Sequence, residues 1–101
     1  MFGDLVSKLK LAQQDSKMKL DSILVDGQAD GGRVKVVVNG HKIVQQIYIS
    51  QELFDEGDKE AVEELLQVAV NKAIEKATIL YEDEMKDVAK GVMPNIPGLN
   101  L

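Results

Sequence analysis

From Lys59 to Lys90 the chain runs without a glycine or proline, and its apolar residues recur at steps of three and four. Val62, Leu65, Leu66, Ala69, Val70, Ala73, Ile74, Ala77, Leu80, Tyr81, Met85 and Val88 draw a single stripe, which is the period of a helix with one apolar face. At 1.5 Å per residue this helix is about 45 Å long. A compact chain of this size has a radius of gyration of about 13 Å. A rod of that length with a stripe along all of it needs more cover than the rest of the chain supplies, so the sequence predicts an obligate dimer.

The remaining residues supply a first helix and a small sheet. Over residues 2–21, Phe2, Leu5, Val6, Leu9, Ala12, Ser16 and Leu20 form one broad face, with Lys8 and Lys19 on one flank and Lys10 and Lys17 on the other. Leu11 and Met18 lie opposite that face, as Val68 and Ile79 lie off the main stripe of the long helix; all four are candidates for a dimer interface. Residues 22–29 read as a weakly alternating strand, and Asp30-Gly31-Gly32 as a turn. Residues 33–39 form a β-branched strand with Val34, Val36 and Val38 on one face. Asn39-Gly40 signals a type I′ hairpin. Residues 42–49 form the third strand, with Ile43, Ile47 and Ile49 sharing a face that Gln45 interrupts. Ser50 opens a short turn through Leu53 and Phe54, Asp58 caps the long helix, and Gly91 stops it. The fold class is α+β, in the order α-β-β-β-α with an antiparallel three-stranded sheet. One domain over residues 1–93 is followed by a flexible Pro/Gly tail over 94–101.

Chemistry is sparse. The chain has no cysteine and one histidine, which removes disulfides, thiolate metal sites and cysteine nucleophiles. His41 sits beside the hairpin as a polar turn residue. Asp55, Glu56, Asp58 and Glu60 lack the spacing of a calcium loop and read as a helix start. Glu82-Asp83-Glu84 reads as a solvated charge run. Gly31-Gly32 leads into a strand and cannot cradle a phosphate as a loop before a helix does. No enzyme, metal or cofactor is expected. The start of the chain carries no signal-peptide pattern and no segment reads as a membrane span, so a cytoplasmic protein is expected. The net charge of −5 is uneven: residues 1–21 and 22–49 each carry +1, and residues 50–101 carry −7. Any surface for anions must therefore come from the first half.

The start Met1-Phe2-Gly3, the LAQQ of Leu11 to Gln14, the block GRVKVVVNG from Gly32 to Gly40, the strand end Ile47-Tyr48-Ile49, the acidic helix start and the closing Pro97-Gly98-Leu99 together resemble the YbaB/EbfC family of small bacterial nucleoid-associated proteins. The resemblance spans nearly the whole length, and Gly32 to Gly40 is its most specific piece. It implies an intertwined homodimer whose first helices project as arms. It also implies binding to double-stranded DNA with limited sequence preference in the nucleoid, and no catalysis. On that reading Lys8, Lys10, Lys17 and Lys19 contact phosphates, with Arg33, Lys35 and Lys42 of the sheet in second rank. A different reading follows from the acidic second half and from Gln45 and Gln46, where relatives can carry basic residues. In it the chain is a protein-interaction module, linked to replication or recombination, with little DNA affinity of its own.

Overall fold

The computed structural model describes residues 2–92, without the side chains of Phe2 and Val92. The tail expected over 94–101 lies outside the described residues. Helix α1 spans Phe2–Ser22, strands β1, β2 and β3 span Leu24–Ala29, Val34–Asn39 and Val44–Ile49, a short α2 spans Gln51–Asp55, and α3 spans Lys59–Val92. The strands form one antiparallel sheet in the order β1-β2-β3. The α-β-β-β-α order holds, with α2 added where a turn is expected from the sequence. Ser50 makes that addition possible, because its hydroxyl accepts the Leu53 N–H at 3.1 Å as an N-cap. Asp58 caps α3 in the same way, accepting the Ala61 N–H at 3.1 Å. Gly91 does not stop α3, which runs on to Val92. One glycine costs about 1 kcal/mol relative to alanine, too little to end a helix already propagated over many turns.

The sheet has one covered face. Val34, Val36 and Val38 point into it and are fully buried, and α3 lies over β1 and β2 through Ala69, Ala73 and Ala77, also fully buried. The approach is close because Gly27 faces the helix: a Cβ there would lie 2.1 Å from the Ala69 carbonyl oxygen and 2.4 Å from the Ala73 nitrogen. Glycine below and alanines above let strand and helix backbones meet almost directly.

Two details of the β2–β3 hairpin differ from the expectation. The turn is not the two-residue type I′ form, whose central residues both need positive φ. Asn39 instead pairs with Ile43 across a three-residue loop, its N–H donating to the Ile43 carbonyl at 3.0 Å. The Asn39 side-chain oxygen accepts the His41 and Ile43 N–H groups, and Lys42 takes the left-handed conformation at φ 67°. The second difference is a bulge: Val37 pairs with Gln46 and Val38 with Val44, leaving Gln45 unmatched. The bulge shifts the alternation, so Val44 rather than Ile43 joins Ile47 and Ile49 on the covered side of the sheet. Among the described residues nothing closes over Val44 and Ile47, which are 42% and 50% exposed.

The described chain measures 64 × 24 × 16 Å with a radius of gyration of 18.9 Å, well beyond the value for a compact chain. The length comes from α3 and from α1, which packs beside its C-terminal half. The first helix packs within its own chain at its C-terminal half: Leu20 and Ser16 are buried, while Leu5, Val6 and Leu9 remain 39–50% exposed.

Candidate nucleic-acid interface

Helix α1 is held at its base by two contacts of different kinds. On one side the hairpin tip grips its last turns. The Gly40 N–H donates to the Leu20 carbonyl at 2.8 Å, and a Cβ at Gly40 would lie 2.8 Å from that same oxygen and from the Leu20 side chain. The His41 Nε2 stands 3.1 Å from the Lys17 carbonyl oxygen and 3.3 Å from Asp21 Oδ1. The His41 ring meets Tyr81 edge-on at 6.1 Å, and the Lys42 ammonium lies 5.3 Å from the same ring.

On the other side Glu84 is the anchor. Its carboxylate accepts the Ser16 hydroxyl at 2.8 Å and pairs with the Lys19 ammonium at 2.9 Å, and its side chain is only 12% exposed. The Lys19 ammonium, then the Ser16 hydroxyl, hold the Glu84 carboxyl below its ordinary value. Glu84 in turn, with a smaller contribution from Asp87, raises the Lys19 ammonium.

The candidate basic residues therefore stand in different surroundings. Lys8 lines a recess with Leu11, Ala12, Glu84 and Asp87, on the same side as Lys19. Lys17 lines the opposite recess with Gln13, His41, Tyr81 and Met85. Lys10, seven residues before Lys17, falls on that second side by helical spacing and is exposed. Lys35 projects from the uncovered face of the sheet, opposite Tyr48. Arg33 is enclosed by carboxylates: Nε donates to Asp30 at 2.7 Å, and Nη1 lies 2.8 Å from Glu56 and 3.5 Å from Glu52. Glu56, then Asp30, holds the guanidinium still more firmly in its charged form. Its charge ties the β1–β2 turn to α2, although the side chain stays 29% exposed.

The four interface candidates, Leu11, Met18, Val68 and Ile79, are 44–66% exposed on the single chain. Glu84 belongs to a run that reads as solvated, yet it falls seven residues after Ala77 and four before Val88, inside the apolar stripe; only Glu82 and Asp83 of that run are exposed. Its place on the helical wheel is the signal. Three of the four acids around the α2–α3 junction are likewise engaged: Asp55 accepts from Gln51, Glu56 from Arg33, and Asp58 caps α3. Among the described residues no three His, Cys, Asp or Glu side chains are grouped to hold a metal, and no helix is long and apolar enough to cross a membrane.

The chain is 41% identical over 99 residues to a nucleoid-associated protein of Flavobacterium johnsoniae, covering 95% of this chain and 92% of that one. It is 36% identical over 95 residues to one of Chlorobium luteolum, with 91% and 85% covered. It is 37% identical over 92 residues to one of Anaeromyxobacter dehalogenans, with 91% and 87% covered. The fold matches the crystal structure of the uncharacterized protein HP0035 from Helicobacter pylori with a TM-score of 0.73 at 24% identity, over 91% of this chain and 92% of that one. The model of the YbaB/EbfC DNA-binding family matches residues 2–92, and with the projecting basic helix, the three-stranded sheet and the single long helix in place, the chain belongs to that family.

Proposed function

We propose that this protein is a nucleoid-associated protein of the cytoplasm that binds double-stranded DNA as a homodimer. Phosphate contacts from α1 carry the binding, with limited sequence preference. The observation that supports this most is the arm itself: α1 carries four lysines and, among the described residues, is anchored at its C-terminal half while Leu5, Val6 and Leu9 of its N-terminal half stay exposed. Lysine on phosphate gives affinity without base readout, and each neutralised phosphate releases counterions, so binding falls steeply with salt. Non-specific dissociation constants of this kind are on the order of 10⁻⁴ to 10⁻⁶ M.

A second copy is part of the reading. β3 is an edge strand whose inner face carries exposed Val44 and Ile47, and Leu11, Met18, Val68 and Ile79 add apolar surface away from the core. A second copy pairing along β3 would cover Val44 and Ile47. The family and the names of the relatives support the DNA partner.

A gel-shift titration on random and defined duplexes at two salt concentrations, with light-scattering mass on the same sample, tests this reading. Salt-sensitive shifts of both duplexes by a dimer are expected. A monomer, or no shift at low salt, overturns it. The alternative, a protein-interaction module linked to replication or recombination, draws on the −7 charge of residues 50–101. It predicts protein partners that survive nuclease treatment in a pulldown.

A further inference from the structure

We infer that the two sides of the α1 arm are not equivalent, and that duplex DNA seats on the side facing the hairpin tip. There Lys10 and Lys17 are continued by Lys42 from the hairpin and Lys86 from α3. This deepens the DNA-binding reading and rests on it.

Charge separates the two sides. Asp4, Lys8, Asp15 and Lys19 follow one another on α1 at helical spacing, and α3 adds Glu84 and Asp87 beside them. Lys19 is already paired with Glu84, so this side is net acidic and repels a phosphate backbone. On the opposite side Lys10 and Lys17 stand about 10 Å apart along the helix. The recess lined by Lys17, His41 and Tyr81 brings the hairpin tip against them. Lys42 lies over the Tyr81 ring, and Lys86 lines the adjoining recess with Tyr81 and Glu82. Asp21, which faces His41, and Glu82 are acids placed on this side. The four lysines outnumber the carboxylates placed beside them, Asp21 and Glu82, and are drawn from three separate elements.

The hairpin tip also fixes the arrangement. Gly40 and His41 both bond to backbone carbonyls of α1, so Lys42 keeps a constant position relative to Lys17. Lys42 does so in a left-handed conformation that a side chain rarely adopts, and that glycine or asparagine adopts more easily.

The test is fluorescence anisotropy of a labelled random-sequence duplex titrated with the full chain at two salt concentrations. Two double variants are compared, Lys10→Gln with Lys17→Gln and Lys8→Gln with Lys19→Gln. Each removes two positive charges and keeps helix propensity nearly constant; the second also removes the Lys19 partner of Glu84, so any loosening of the arm counts against it rather than against the first. Helix content by circular dichroism confirms that both fold. The first variant is expected to lose about tenfold or more in affinity and to flatten the salt slope by about 1 for each phosphate it no longer neutralises. The second is expected to lose at least about threefold less than the first. Lys42→Gln is expected to fall between them. An equal or larger loss in the second variant, or no loss in the first, overturns the assignment while leaving DNA binding intact. A parent chain that binds no duplex overturns both readings.

Discussion

At its N-terminal half α3 meets the sheet through small residues and bare backbone, whereas at its C-terminal half it meets α1 through a largely covered carboxylate and its partners. The first contact is dry and built from Gly27, Ala69 and Ala73. The second is built from Ser16, Lys19 and Glu84, with an ammonium partly in water. Dispersion and close packing hold the sheet to the helix and are indifferent to pH and salt. Charge-assisted bonds hold the arm, and they are weaker, directional and titratable. The fold thus rests on one half of α3, and the orientation of the arm on the other.

The sharpest way to break the dry contact is Gly27→Ala. The added methyl meets backbone atoms that cannot step aside, and the loss is expected at about 3 kcal/mol or more, read as a lowered urea midpoint. Gly40→Ala acts at the base of the arm, where the methyl meets the Leu20 carbonyl and side chain. A loss of about 2 kcal/mol is expected there, because the hairpin tip can retreat from α1. A smaller change isolates the polar contact: Glu84→Gln should speed amide exchange in α1 several-fold while leaving β2 exchange and the global midpoint nearly unmoved. Equal acceleration in β2 would show that the two halves of α3 do not behave separately.

Acid gives the mildest test. The folded-state carboxyl of Glu84 is lowered, so its contribution is complete above its ordinary value of 4.5 and is lost as pH falls through the lowered value. Exchange in α1 should rise over that interval, at and below about pH 4.5, and Glu84→Gln should abolish the rise. Asp26 on β1 is also lowered, chiefly by the Gln28 amide at 2.7 Å, so a small acid response in β1 is expected in both proteins.

The sequence makes the regular parts of this fold legible and hides the exceptions. The spacing of Val62 through Val88 and the alternation of Val34, Val36 and Val38 each dictate one element, because burial selects a single period. Gly27 is legible only as part of a weakly alternating strand. Its meaning lies in the helix that descends on it, although a glycine inside a strand is itself a sign of close backbone approach. The bulge at Gln45 depends on how Val37 and Val38 pair, which no single strand reveals. The lysines of α1 are all visible in the sequence, yet their different surroundings depend on Glu84, Asp87 and the hairpin tip. Arg33 shows the same limit, since the carboxylates that enclose it come from both sides of the strand pair in sequence.

The left-handed lysine of the hairpin has a consequence for sequence drift. At position 42 a glycine or asparagine relieves the backbone at once, so a library selected only for resistance to heat should discard the lysine within a few rounds. The same library selected for retention on a duplex column should keep it. The residue that survives at this one site would therefore record which demand the population had faced.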